Sequence, residues 1–196
     1  MKNFIKKIIY KLGFELKKYS VDSSYQARFK KMISFHNIDT VIDVGANIGQ
    51  YGQELRRNGF QVKIISIEPL HDARNILLKN SKKDSLWQVT PRYALGDIDG
   101  EIEINIAGNS ASSSVLKMLD EHINAAPESK YIGAEKVQVF KLDTISKEYI
   151  CQDEKLFLKI DTQGYEDLVL KGAKETIKKV KGIQLEISFL PLYEGQ

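Results

Sequence analysis

Residues 40–51, TVIDVGANIGQY, constrain the fold more than any other stretch of this chain. Val41, Ile42 and Val44 make a short apolar run that reads as a buried strand, and the glycines that follow punctuate it. A helix is predicted from near Ile48. The order is strand, glycine turn, helix start. Gly45 can take a backbone conformation closed to residues with a Cβ and lets other atoms approach the main chain. The new helix presents unpaired N–H groups at the same place. The turn is therefore a candidate ligand mouth, although the same residues suit an ordinary corner in which Asp43 satisfies loop amides.

The spacing bears on which ligand. A dinucleotide fingerprint needs G-x-G-x-x-G, and a triphosphate loop needs G-K-[ST]. Here the pattern is D-x-G-x-x-x-G. A carboxylate at Asp43 repels phosphate and suits a ligand with an ammonium or sulfonium group, a description that S-adenosylmethionine meets. The second strand, Gln61 to Ile67, ends in Glu68-Pro69. An acidic residue there is placed to accept both hydroxyls of a ribose. It is also where a surface carboxylate at a helix N-terminus would sit. Together the two signals favour a nucleoside cofactor.

At 196 residues, 42% hydrophobic and 28% charged, the chain predicts one globular domain with a sizeable core. Its formal charge of +3 gives no argument for nucleic acid. Residues 1–20 hold six lysines and one glutamate, so the remainder is mildly acidic. Within them, residues 3–17 place Ile5, Ile8, Ile9, Leu12 and Leu16 on one helical face among lysines. Such a helix can lie on an anionic membrane or pack on the protein with its lysines in water. The organisation expected is a basic helical segment, 1–34, before a domain at 35–196. A single cysteine, Cys151, and three scattered histidines predict no disulfide and no soft-metal site. This usage fits a reducing, cytoplasmic setting, with peripheral contact to the inner membrane face through the first helix as an added option.

Further along, helices are predicted at Tyr25–His36 and Asp72–Asn80, and a short strand at Leu86–Val89. Asp97 follows in a position to meet an adenine amine or simply to form a turn. Strands at Glu101–Ala107 and Val137–Leu142 are expected to pair antiparallel. Between them the tract Asn109–Ser114 reads as an ordered insertion, followed by a helix through Asn124. Leu156–Ile160 is a strand ending in Asp161-Thr162-Gln163-Gly164-Tyr165-Glu166, with a helix through Val180 and a last strand, Gly182–Phe189, that contains Glu186. Alternation of strands and helices predicts a mostly parallel open α/β sheet. Ligands then bind beyond the carboxyl ends of the strands, where Asp43, Glu68, Asp97 and Asp161 are all expected. Lys159 alternates with Leu158 and Ile160 and is assigned to a solvated face. His71 and His122 are assigned to the surface.

Taken in order, VIDVGANIGQY (41–51), SIEP (66–69), ALGD (94–97), SSSVL (112–116), LDTI (142–145), LKIDTQGYEDLVLKGA (158–173) and LEISFLPLYEG (185–195) resemble the FkbM-type S-adenosylmethionine-dependent methyltransferases. The resemblance implies a Rossmann-like class I fold, with helices on both faces of the sheet. It also implies cofactor contacts from Asp43, Gly45, Ala46, Asn47, Gly49, Glu68 and Asp97. The acceptor it implies is a hydroxyl on a small molecule or glycan. Members of the family continue past LYEG into a helix and an antiparallel strand pair. This predicts a domain incomplete at its C-terminal end, with a bare sheet edge on the strand carrying Glu186.

Methyl transfer to a hydroxyl needs alignment and a proton acceptor. Asp161 is the first candidate base, with capping of the next helix as its other reading, and Glu186 is the second. Ser112, Ser113 and Gln163 are candidates to hold a polyol acceptor. The competing classes are an NAD(P)-dependent oxidoreductase and a non-catalytic, membrane-associated interaction protein.

Overall fold

Thr40–Val44 forms β1, and every residue in it is buried. That follows from its place at the centre of a parallel sheet, where helices cover both faces and no position is left for water. The computed structural model describes residues 2–15 and 19–196. It separates into two units, residues 1–37 and 38–196.

The first unit holds α1 (Lys2–Lys11) and α2 (Tyr25–His36). The first helix stops at Lys11, and Gly13 follows at φ +81°, so the predicted continuation to residue 15 does not form. Leu16 and Lys17 lie outside the described residues. The second helix has the predicted bounds. Ser24 caps it by accepting a hydrogen bond from the Ala27 amide, and Asn37 closes it in the left-handed conformation.

In the second unit, β1, α3 (Gln50–Arg57), β2 (Lys63–Ile67), α4 (His71–Ser81) and β3 (Trp87–Val89) follow one another. The chain then leaves the sheet for β4 (Ala94–Leu95), β5 (Gly100–Ala107), α5 (Asp120–Ala125) and β6 (Tyr131–Phe140). It returns through α6 (Leu142–Tyr149) to β7 (Leu156–Ile160), α7 (Glu166–Lys171) and β8 (Val180–Leu185). The main sheet has the order β3-β2-β1-β7-β8, all neighbours parallel. The chain winds outward from β1 to β3 and starts again at β7, so the strand order reverses between β1 and β7. That is where such sheets bind ligands.

Ile42, Val44, Ile65, Ile67, Leu158 and Ile160 point to one face and pack with Leu142 and Ile145 of α6 and Val169 of α7. The opposite face carries Ser66, whose hydroxyl accepts from the Trp87 indole. A side chain on Gly49 would collide with Trp87 and Leu77, so this second glycine of the motif makes room for core packing. Gly45 differs. It sits at φ +70°, and a Cβ there would lie 1.9 Å from the Asp161 carbonyl oxygen, so the ends of β1 and β7 can converge only without one. A Gly45→Ala change adds a left-handed penalty of about 1–2 kcal/mol to that collision. Its melting temperature, read by circular dichroism, is expected to fall by more than that penalty alone would give.

The predicted antiparallel pair forms as β5 and β6, with β4 parallel to β6, in a separate three-stranded sheet. Several bounds differ from the periodicity. The helix after the serine tract is only the six residues of α5, and α7 ends at Lys171 before a short 3-10 turn, Thr176–Lys179. The last strand ends at Leu185, which leaves Glu186 just beyond it. β8 is the sheet's edge and pairs with β7.

Candidate active site

A cavity of about 420 Å³ opens across the carboxyl ends of β1, β2 and β7. Its wall includes Gly45, Ala46, Asn47 and Glu68 from the first two turns, Ser110, Ser113 and Ser114 from the serine tract, and Asp161, Gln163 and Glu186 beside β7 and β8. Gln50, Tyr51 and Glu54 of α3 complete one side.

The β1–α3 turn is held by backbone bonds. The Gly45 and Ala46 amides both donate to the Ile67 carbonyl. Asn47 stands at φ +47°, and its amide donates to Glu68 Oε2 at 2.7 Å, while the Leu70 amide donates to Oε1 at 2.9 Å. Glu68 thus fastens the two turns together and still faces the cavity. Burial pushes its carboxyl up to about 7 against the pull of those two amides.

Asp43 behaves differently from expectation. It is 0% exposed, lies within β1, and is absent from the cavity wall. The register sets it directly across from Lys159, whose ammonium reaches Asp43 Oδ1 at 3.0 Å and Asp161 Oδ2 at 3.3 Å. The same ammonium donates to the Gly45 carbonyl at 3.2 Å, so three oxygens surround it. Lys159 was assigned to a solvated face, and the structure overturns this. Alternation marks solvent only where one face of a sheet is wet, and β7 is covered on both. Burial disfavours the ammonium, but the Asp43 and Asp161 carboxylates outweigh it and hold Lys159 above its ordinary range.

Next to this cation, Asp161 and Glu186 form a carboxyl pair. Burial pushes Asp161 up, but a shared hydrogen bond with Glu186, the Lys159 charge and Gln163 together take it below the usual range. Glu186 takes the opposite shift, to about 7, through that hydrogen bond first, then burial and the Asp161 charge. Gln163 Nε2 donates to Asp161 Oδ1 at 2.9 Å and also to Glu186 Oε2. Its Oε1 accepts from the Tyr193 hydroxyl at 3.0 Å, which fixes the amide so that its NH₂ faces both acids. Glu166 secures the turn from below by accepting from the Thr162 and Gly164 amides.

The remaining expected residues divide. Gly49 lies against Trp87, away from the cavity wall. Asp97 lies off the wall, although Ala94 and Leu95 of β4, just before it, line the cavity. Ser112 is buried, and its hydroxyl accepts from Asn109 Nδ2. Ser113 does face the cavity, with its Oγ accepting from the Ala107 amide. The serine tract is an ordered insertion, as expected, and Ser110 reaches Asn47 across the mouth. His71 is exposed as assigned, but His122 is buried edge-on against Tyr193, so its surface assignment fails. Among the described residues, no three His, Cys, Asp or Glu side chains gather as a metal site.

Sequence reasoning missed Lys159 and Tyr193. A lysine inside an otherwise apolar parallel strand was a usable signal, since such a residue is almost never buried unpaired. Nothing in the periodicity marked Tyr193.

A parallel five-stranded sheet with helices on both faces and a cavity at its topological switch point is a Rossmann-like methyltransferase fold. More narrowly, the chain belongs to the FkbM methyltransferase family, matching the methyltransferase FkbM domain over residues 43–196. It is similar to the methyltransferase sdnD of Sordaria araneosa, 28% identical over 156 residues. That match covers 69% of this chain and 60% of the relative. No solved structure matches it.

Proposed function

We propose that the chain is an S-adenosylmethionine-dependent O-methyltransferase acting on a hydroxyl of a sugar, glycan or secondary metabolite. The observation that carries this reading is the charge of the cavity. Glu54, Glu68, Asp161 and Glu186 line it, and the cation among them, Lys159, is already committed to Asp43, Asp161 and Gly45. A wall of this kind disfavours a pyrophosphate and favours a ligand that carries positive charge and no phosphate. Glu68, held by two amides and open to the cavity, fits the hydroxyls of a ribose. S-adenosylmethionine, once bound, supplies an electrophilic methyl group. Gly45, Ala46, Asn47 and Glu68 are the residues that would hold it.

On the other side of the cavity, Gln50, Tyr51, Gln184, Glu54 and Glu186 offer hydrogen bonds and negative charge. That favours an uncharged polyhydroxyl acceptor over an anionic one. Of the two acids, Glu186 is the better proton acceptor. A group near pH 7 is matched to general base work at neutral pH, whereas Asp161 is held ionised beside Lys159 and has little basicity left. Asp161 becomes the positioning residue, and this reverses the order in which the sequence ranked them.

Titration calorimetry with S-adenosylhomocysteine and with NAD tests the cofactor. S-adenosylhomocysteine is expected to bind and NAD is not; the reverse result removes the reading. A ribose hydroxyl donating to Glu68 favours its ionised form, so binding below pH 7 must expel a proton. Affinity for S-adenosylhomocysteine is therefore expected to be about 10-fold weaker at pH 6 than at pH 8, and flat above pH 8. Glu68→Gln is expected to abolish that pH dependence.

A further inference from the structure

The first unit carries chemistry that methyl transfer does not use. In α1 and the turn after it, Phe4, Leu12 and Phe14 are 68%, 67% and 69% exposed, and Ile5, Ile8 and Tyr10 are also exposed. On a helical wheel Phe4, Ile5, Ile8, Ile9 and Leu12 share one face. Lys6 lies on one flank of it, and Lys7 and Lys11 lie on the other. Residues 2–14 contain no acidic side chain. A ten-residue helix of this kind is marginal in water on its own, and an apolar face left open adds to that cost.

We infer that residues 2–14 are a docking element for an anionic membrane surface, with the apolar face sunk among the acyl chains and the lysines reaching the headgroups. The flanking lysines select this occupant. Their stems can lie along the apolar boundary while their ammonium groups meet negative charge, an arrangement suited to an interface and not to a protein core. A second copy of the chain would bring like charges together along both flanks, which opposes docking through this face. No helix among the described residues is long and apolar enough to cross a membrane, so the contact inferred is peripheral.

The test is co-sedimentation of the full chain with vesicles of phosphatidylcholine alone and of phosphatidylcholine with phosphatidylglycerol, at low and high salt. Binding is expected only to the anionic vesicles, and it should weaken as salt rises. Each lysine near such a surface contributes about 1 kcal/mol, which is about 5-fold in partitioning. The double change Lys6→Gln, Lys7→Gln should therefore weaken binding roughly 20- to 30-fold. Ile5→Asn with Ile8→Asn should remove it, while the melting temperature of the protein stays within a degree or so of the original. The salt series on the unaltered chain stands whatever the variants do. Equal binding to neutral vesicles, no binding to anionic ones, or a dimer in solution that Ile8→Asn dissolves would each overturn the proposal.

Discussion

Replacing Lys159 by Met is expected to destabilise the fold by about 3–5 kcal/mol, the range for leaving a buried charge without its partner. For a chain of this size that corresponds to a fall in melting temperature of about 6–20 °C. The reason lies in the register. Asp43 is fully buried across from Lys159, and Asp161 stands on the other side of the same ammonium. Methionine matches the stem of the lysine but strands the buried Asp43 carboxyl and removes the positive charge beside Asp161. The sign of the pH dependence follows. Burial already holds the Asp43 carboxyl above its usual range, and loss of the cation raises it further and removes a pull that lowers Asp161, so the folded variant binds protons more tightly than the original fold does. Its stability relative to the original then falls as pH rises. The gap to the original protein should be narrower at pH 5 than at pH 7.5. Pairing Lys159→Met with Asp43→Leu should recover part of the loss, because an apolar pair of similar volume can replace a buried ion pair. Equal melting temperatures for the original protein and Lys159→Met at pH 7.5 would remove this account of the β1–β7 junction.

The second large effect is on turnover. Glu186→Gln keeps the shape and some hydrogen bonding of the side chain but cannot accept a proton. The rate constant for methyl transfer is expected to fall by about 10²–10⁴-fold, the usual worth of a positioned base. In the unaltered enzyme the rate should rise through about pH 7 and level off above it, as Glu186 gives up the proton it shares with Asp161. Asp161→Asn distinguishes the two acids. It removes the like charge and the hydrogen bond that raise Glu186, so the rising limb should move to lower pH while the plateau persists at reduced height. If Asp161→Asn erases the limb and Glu186→Gln leaves it intact, the roles are the other way round.

Much of the architecture was legible in the sequence because apolar runs and glycine turns report local preference. β1, β2, α4 and β7 fall within about two residues of their predicted bounds, and the β5–β6 pair appears with the predicted sense. Alternation along Ile102, Ile104 and Ile106 was enough for that. What escaped was set by strand neighbours. Lys159 reads as solvated because period 2 implies one wet face, and only the sheet order shows that β7 has none. Asp43 looked like a ligand contact because its place across from Lys159 is a matter of register between residues 116 positions apart in the chain. Asp97 falls two residues past Leu95, the end of β4, which does line the cavity. Glu68 could be foreseen facing the cavity, since it follows its strand directly. The clamp on Gln163 could not, because Tyr193 comes from a segment with no regular period.

Residues 43 and 159 face each other on adjacent strands and share one charge balance, so neither can drift alone. A neutral replacement at one should be tolerated only alongside a neutral replacement at the other. Among homologues aligned over this fold, the two columns should change in step, and a lineage that keeps the lysine while losing the aspartate should have moved an acid to a nearby strand.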